Sequence, residues 1–298
     1  MIYTDQINNY ISKKLITPEN HPALYDYQFQ LNLADAPWHN WLTQTNYFDI
    51  YDEYINTFLK WIKSTKNNSI AGLEKFKCID VVIGTTQTFD EAYYRYRNRQ
   101  LRTFSHEYAY HSRNVNVQHL TYENTTEQLT KNDWVIVSLP YSGTGDKNIN
   151  YDLLIKDAEN KNVPIVVDCA WFGTCRDIEF DFYSPSIQEV TFSLSKGIGL
   201  GSIRTGLRFS NHNDGSIKQQ NDYRHLVFSN MQLGIWQMSK FSPDYVTDKY
   251  LNAYQNMCNE LNMKQTKCMH VAIHNNKLLG IRNLVKEYYK NIKSFPNN

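Results

Sequence analysis

Four short apolar runs, Cys78–Ile83, Trp134–Ser138, Val163–Val167 and Val190–Ser193, recur with amphipathic stretches between them. Runs of this length and composition read as strands buried on both faces, and spacers long enough for crossovers argue for a mainly parallel sheet covered by helices. Between the runs, Phe89–Gln100 and Tyr151–Asn160 have helical character, the second carrying Leu153, Leu154, Ile155 and Ala158 toward the sheet. Upstream, Ile55, Phe58, Leu59 and Ile62 fall at helix spacing in Tyr51–Lys63. Downstream, Ile203–Phe209 reads as a strand and Asp244–Met263 as a helix. Cys268–Ile273 reads as a further strand, and Leu278–Ile292 as a helix or a strand turning into one. The expected class is therefore α/β, with the tail forming a small second lobe.

A chain of 298 residues, 41% of them hydrophobic, can bury a substantial core. Its formal net charge of +1 leaves no global field directed at nucleic acid or an anionic membrane, so neither is an expected partner. No basic cluster followed by an apolar run marks the first residues, and no apolar stretch is long enough to span a bilayer, so a cytoplasmic location is expected. The five cysteines are scattered without a Cys-x-x-Cys pair and read as reduced thiols.

In an open parallel sheet ligands gather at the carboxyl ends of the strands, so the residues that follow each run are the ones to inspect. Gly84-Thr85-Thr86 follows the first run and precedes a helix, an arrangement that aims free N–H groups and hydroxyls at an anion such as a phosphate; it is also an ordinary strand-to-helix turn. Asp168 ends Pro164–Val167 and brings a carboxylate out of an apolar strand, as a functional acid or as a helix cap. Ser193-Leu194-Ser195-Lys196 ends the fourth run, and Arg204-Thr205-Gly206 follows eight residues later. A lysine set against apolar neighbours loses its proton more easily, as an amine nucleophile must, although a lone lysine is usually a solvated one.

Taken together and in order, Val166-Val167-Asp168-Cys169-Ala170-Trp171, Thr191–Lys196 and Arg204-Thr205-Gly206 resemble the core of fold-type I pyridoxal 5′-phosphate (PLP) enzymes, specifically the class I/II aminotransferases. The resemblance runs from about Gly84 to Phe209. It implies a three-layer PLP-dependent transferase fold with a large domain over 45–230, a small lobe over 231–298, and a segment 1–44 that joins the small lobe. It implies PLP held as a Schiff base on Lys196, with that lysine moving the proton at the substrate α-carbon. Asp168 then pairs with the pyridinium nitrogen; Ser193, Arg204 and the Gly84-Thr85-Thr86 turn hold the 5′-phosphate; Tyr108 stacks on the ring or serves as a core or interface tyrosine. The implied reaction moves an amino group between an amino acid and a 2-oxo acid, with a decarboxylase, lyase or synthase as the alternative, in a homodimer.

Two departures concern the phenolic edge of the cofactor. Ser142-Gly143-Thr144-Gly145 stands where the family has Asn-Pro-x-Gly, and Trp171 where it has tyrosine. Ser142 and the Trp171 indole remain hydrogen-bond donors of different reach. On the substrate side, Leu279-Gly280-Ile281-Arg282 resembles the element whose arginine clamps the α-carboxylate, and equally suits a helix-surface arginine; Trp38, in Asp35-Ala36-Pro37-Trp38, is expected at the entrance. Gly197-Ile198-Gly199-Leu200-Gly201 lacks the Gly-x-Gly-x-x-Gly spacing and is followed by strand-like residues, so it does not read as a dinucleotide loop. The nine histidines include no His-x-x-x-His pair on a convincing helix, so no metal is expected.

Overall fold

The computed structural model describes residues 2–17, 27–42 and 47–294. Its strands are β1 (Ser69–Ala71), β2 (Cys78–Val82), β3 (Gln100–Phe104), β4 (Val117–Leu120), β5 (Asp133–Ser138) and β6 (Ile165–Cys169). They continue with β7 (Glu179–Asp181), β8 (Ile187–Ser193), β9 (Gly206–Ser210), β10 (Lys264–Gln265), β11 (Val271–His274) and β12 (Lys277–Gly280). Seven strands form the central sheet in the order β2-β9-β8-β6-β5-β3-β4, with β9 antiparallel to both neighbours and the other pairings parallel.

Alternation along β5 divides the core into two layers. Trp134 and Ile136 join Val166 and, from the helix Thr85–Arg95, Phe89 and Ala92 on one face. Val135 and Val137 join Val167, Leu154 and Phe192 on the other. There Phe172 packs edge-on against both Phe180 and Phe192 with ring centroids 5.4 Å apart, and Trp61, from the helix Tyr47–Lys63, meets Phe172 at 5.8 Å. Edge-to-face contacts of this kind add to the large areas that aromatic rings bury. Both faces of β5 are covered, which is why its sequence is a continuous apolar run.

The antiparallel β9 is locked by a buried ion cluster. Arg208 is fully buried and reaches Asp80 on β2 at 2.8 Å, Glu189 on β8 at 3.3 Å, and Glu91 of the Thr85–Arg95 helix at 2.5 Å. A charge so buried is tolerable only because every neighbour carries the opposite sign.

Two central strands escape a reading based on apolar runs. The expected helix Phe89–Gln100 is Thr85–Arg95, and Gln100 opens β3. In β3, half-buried Gln100 and Arg102 alternate with buried Leu101 and Thr103; Arg102 pairs with Asp133 at 3.1 Å, so a polar side chain is accommodated there. β4 lies at the sheet edge and exposes Gln118 and His119. The expected strand Ile203–Phe209 starts only at Gly206, because Arg204 has a left-handed φ of 61°. In the tail, β10-β11-β12 form a small antiparallel sheet, and the chain passes from β12 directly into the helix Arg282–Ser294. Among the described residues no helix is long and apolar enough to cross a membrane.

Candidate active site

The sheet register brings the strand-end residues onto one edge. Ser138 pairs with Asp168, Asp168 with Thr191, Ser193 with Gly206, and Gly206 with Val82. Because β9 runs the other way, it is its beginning, next to Arg204, that meets the carboxyl ends of β2 and β8.

Ser193 caps the short helix Leu194–Gly197; its hydroxyl accepts the Ser195 N–H at 3.1 Å and lies 2.8 Å from Ser195 Oγ. The helix carries Lys196 and packs backbone to backbone on the 3-10 turn that follows Trp171. A Cβ on Gly173 would stand 2.4 Å from Gly197 Cα, so neither position admits a side chain without moving the lysine. Among the described residues the Lys196 ammonium makes no hydrogen bond and has no carboxylate within ion-pair distance. Burial pulls its pKa down to about 8, Arg204 and Arg282 push the same way, and Asp168 opposes them.

Asp168 is buried and accepts one hydrogen bond, from the Ala170 N–H at 2.9 Å. Burial raises its pKa to about 6 against the Ala170 bond and the Lys196 charge. The two groups attract each other, yet burial dominates for both, so each is held toward its neutral form. Such a pair is completed by a ligand that brings a cationic donor to the acid and an electrophile to the amine.

An anion cradle adjoins this pair. Gly84 precedes the helix Thr85–Arg95 with a φ of 111° and no side chain caps the helix N-terminus. Arg204 donates from Nη2 to Thr86 Oγ1 at 3.0 Å, lying so close that a Cβ on Gly84 would be 2.6 Å from Nη2. The left-handed Arg204 backbone is held by its N–H bond to the Leu200 carbonyl at 3.0 Å and by Asn230 Nδ2, which donates to the Arg204 carbonyl at 3.2 Å. A strained non-glycine residue kept in place by two such bonds at a helix N-terminus fits phosphate binding.

The other expected residues fall as follows. Tyr108 is half-exposed, with its ring stacked on Tyr110 at 5.8 Å. Ser142 Oγ lies 3.0 Å from Ser138 Oγ and donates to Glu107 Oε2 at 3.1 Å. The charge of Arg282, at the start of the last helix, reaches Lys196. Trp38 instead donates its indole N–H to the Leu33 carbonyl at 3.1 Å and meets Trp41 edge-on at 5.8 Å; no hydrogen bond or ring contact joins it to the strand-end group among the described residues.

Two further residues belong to this region without having been singled out. His270 is fully buried, packs edge-on against Trp171 at 4.5 Å, and has no partner on either ring nitrogen. Burial, then the charges of Lys196 and Arg282, lower its pKa to about 3, so it is neutral. Glu107 accepts the Ser138 N–H, and its other oxygen lies within hydrogen-bond distance of the Ser138 and Ser142 hydroxyls. Its position beside Tyr108 was the available signal.

Neither a protein-family model nor a curated protein matches the sequence. Solved structures do match. The histidinol-phosphate aminotransferase of Clostridium acetobutylicum is similar with a TM-score of 0.58 and 13% identity, over 93% of this chain and 98% of that one. The PLP-bound C-S lyase of Staphylococcus hominis gives 0.57 and 11%, over 82% and 83%. An aminotransferase of Staphylococcus aureus gives 0.54 and 14%, over 82% and 72%. The fold is the one these aminotransferases and the C-S lyase share. At such identities the likeness carries the fold alone, and the chemistry must be argued from the side chains.

Proposed function

We propose that the chain is a PLP-dependent enzyme of aminotransferase type, moving an amino group between an amino acid and a 2-oxo acid. The observation that carries this reading is the pair formed by Lys196 and Asp168 on adjacent strand ends. Asp168 is buried and Lys196 half-buried, and each is shifted toward its neutral form beside an anion cradle. The residues fit the cofactor: the lysine amine has no hydrogen-bond partner among the described residues, Asp168 has spare acceptor capacity, and Gly84 leaves Arg204 and the helix N-terminus open to a phosphate.

When bound, PLP supplies an aldehyde that condenses with amines and a ring that draws off the electron pair left at a substrate α-carbon. Lys196, with its pKa near 8, offers an unprotonated amine at mildly alkaline pH and, once released, takes and returns the proton at the α-carbon. Asp168 holds the ring nitrogen's proton. Arg204 with Thr85, Thr86 and Ser193 binds the phosphate, and Tyr108 and Trp171 bound the ring. Arg282, whose positive field already reaches Lys196, binds the substrate carboxylate. A homodimer is part of this reading, and mass measurement in solution checks it.

Borohydride reduction of the PLP-treated protein, followed by peptide mass spectrometry, should label Lys196 and no other lysine; label elsewhere overturns the assignment. An amino-acid panel then separates the chemistries. Conversion of the cofactor to its amine form without an acceptor supports transamination. Release of ammonia, a thiol or carbon dioxide supports a lyase, decarboxylase or synthase, the alternative that the departures at Trp171 and Ser142 leave open.

A further inference from the structure

Glu107 has no role in the scheme above, yet its contacts are specific. Its Oε1 accepts the Ser138 N–H at 2.9 Å, and its Oε2 meets Ser138 Oγ at 2.5 Å and Ser142 Oγ at 3.1 Å. The two serine oxygens are 3.0 Å apart. Three oxygens therefore share three mutual contacts. An ionised carboxylate brings no hydrogen and each hydroxyl brings one. With two hydrogens for three contacts, one pair of buried oxygens must face each other lone pair to lone pair, which is costly. A proton on Glu107 supplies the third hydrogen, and the O–H groups then run around the ring in one direction.

We propose that Glu107 is a neutral carboxylic acid in the folded protein, and that through Ser142 it keeps an exchangeable proton at the carboxyl end of β5, beside Asp168. Ser138 is the register partner of Asp168, so two buried carboxyls stand on neighbouring strand ends. The titratable groups facing Glu107 are Asp168 and the phenol of Tyr141, which donates to the Ser105 carbonyl. Burial and then the Asp168 charge push the Glu107 pKa to about 7, while the serine bonds pull it down. With Glu107 neutral, one negative charge fewer faces Lys196 and Arg204 at this edge, which suits an anionic ligand.

Glu107 is thus a positioning residue: its protonation sets which way the hydroxyl hydrogens of Ser138 and Ser142 point. Only the identity of that ligand rests on the PLP reading. Glu107→Gln tests the idea, because the Gln carbonyl can accept the Ser138 N–H while its amide, uncharged at every pH, donates toward the serines, so the side chain no longer carries a titrating proton. On the full chain at about pH 6, wild type should show the infrared carbonyl band of a protonated carboxylic acid that Glu107→Gln lacks. Labelling glutamate side-chain carboxyls with carbon-13 shifts that band and separates it from Asp168; the difference from Glu107→Gln or, should that variant not fold, from Glu189→Gln separates it from Glu189, whose pKa burial also raises to about 7.

A carboxyl raised in the folded state costs stability as pH rises from its unfolded to its folded pKa. The denaturation midpoint of Glu107→Gln should therefore gain on wild type between about pH 5 and about pH 8. With PLP bound, a step in the pH titration of visible absorbance should be present in wild type and lost in both Glu107→Gln and Ser142→Ala. No protonated band, or a midpoint difference that is flat with pH, overturns the proposal. Failure to bind PLP would sink the functional reading while the infrared and stability results still decide the state of Glu107.

Discussion

Replacing Lys196 with methionine should make the cofactor-free chain more stable while abolishing its chemistry. The lysine's pKa is lowered from 10.5 to about 8, a net figure that already includes the attraction of Asp168. At 1.36 kcal/mol per unit, holding the ammonium in this site costs roughly 3 kcal/mol at pH 7. Methionine fills nearly the same volume without the charge, so Lys196→Met should raise the unfolding free energy by about that amount. The sign follows from linkage. Below about pH 8 lysine is protonated in both states and the penalty is full; between 8 and 10.5 the folded state is neutral first, so wild type recovers. Urea denaturation of both cofactor-free proteins should therefore show an advantage for the variant that is large at neutral pH and vanishes above about pH 10.5. Equal stability at pH 7, or an advantage that persists undiminished into alkali, would refute the claim that the lysine is electrostatically strained.

Asp168→Asn should weaken PLP binding by about 2–5 kcal/mol, because it removes the buried partner of a ring cation, and equilibrium dialysis reads that loss. It should also flatten the decline in cofactor-free stability that the raised Asp168 carboxyl causes between 3.8 and about 6 as pH increases. Gly84→Ala places a Cβ 2.6 Å from Arg204 Nη2 at a φ of 111°, so it should cost about 1–3 kcal/mol in thermal or urea unfolding and weaken PLP binding. His270→Phe keeps the aromatic contact with Trp171 and removes two unpartnered nitrogens. It should stabilise the cofactor-free chain by about 1–3 kcal/mol, and a lower urea midpoint would show that the imidazole has a partner in solution.

How far the sequence discloses this arrangement depends on burial. β5, β6 and β8 are covered on both faces, so they appear as apolar runs, and the residues just past them, Asp168, Ser193 and Lys196, could be located by counting. β3 and β4 lie toward the sheet edge, alternate polar and apolar residues, and are masked by the neighbouring helix. Arg208 is invisible to pattern reading, because its burial depends on three acids scattered between positions 80 and 189. Glu107 and His270 are hidden for a related reason. Neither ends an apolar run, and each acquires meaning only when a distant segment meets it: Ser138 and Ser142 for the first, Trp171 for the second.

What unites the residues at this edge is that the isolated fold leaves them electrostatically unsatisfied. Lys196 is held below its ordinary pKa and Asp168 above its own, while His270 lacks both hydrogen bonds. Residues elsewhere in the core are better paired: Arg208 is ringed by three carboxylates, and one oxygen of Asp157 accepts the Tyr122 hydroxyl and the backbone N–H groups of Gln128 and Leu129, while its other oxygen has no hydrogen-bond partner among the described residues. Unsatisfied groups persist where a ligand supplies the missing partners, so binding and stability are linked. A molecule offering an aldehyde and a protonated ring nitrogen would meet two of these demands at once, those of Lys196 and Asp168, and a phosphate on it would meet Arg204, so its binding would stabilise the fold.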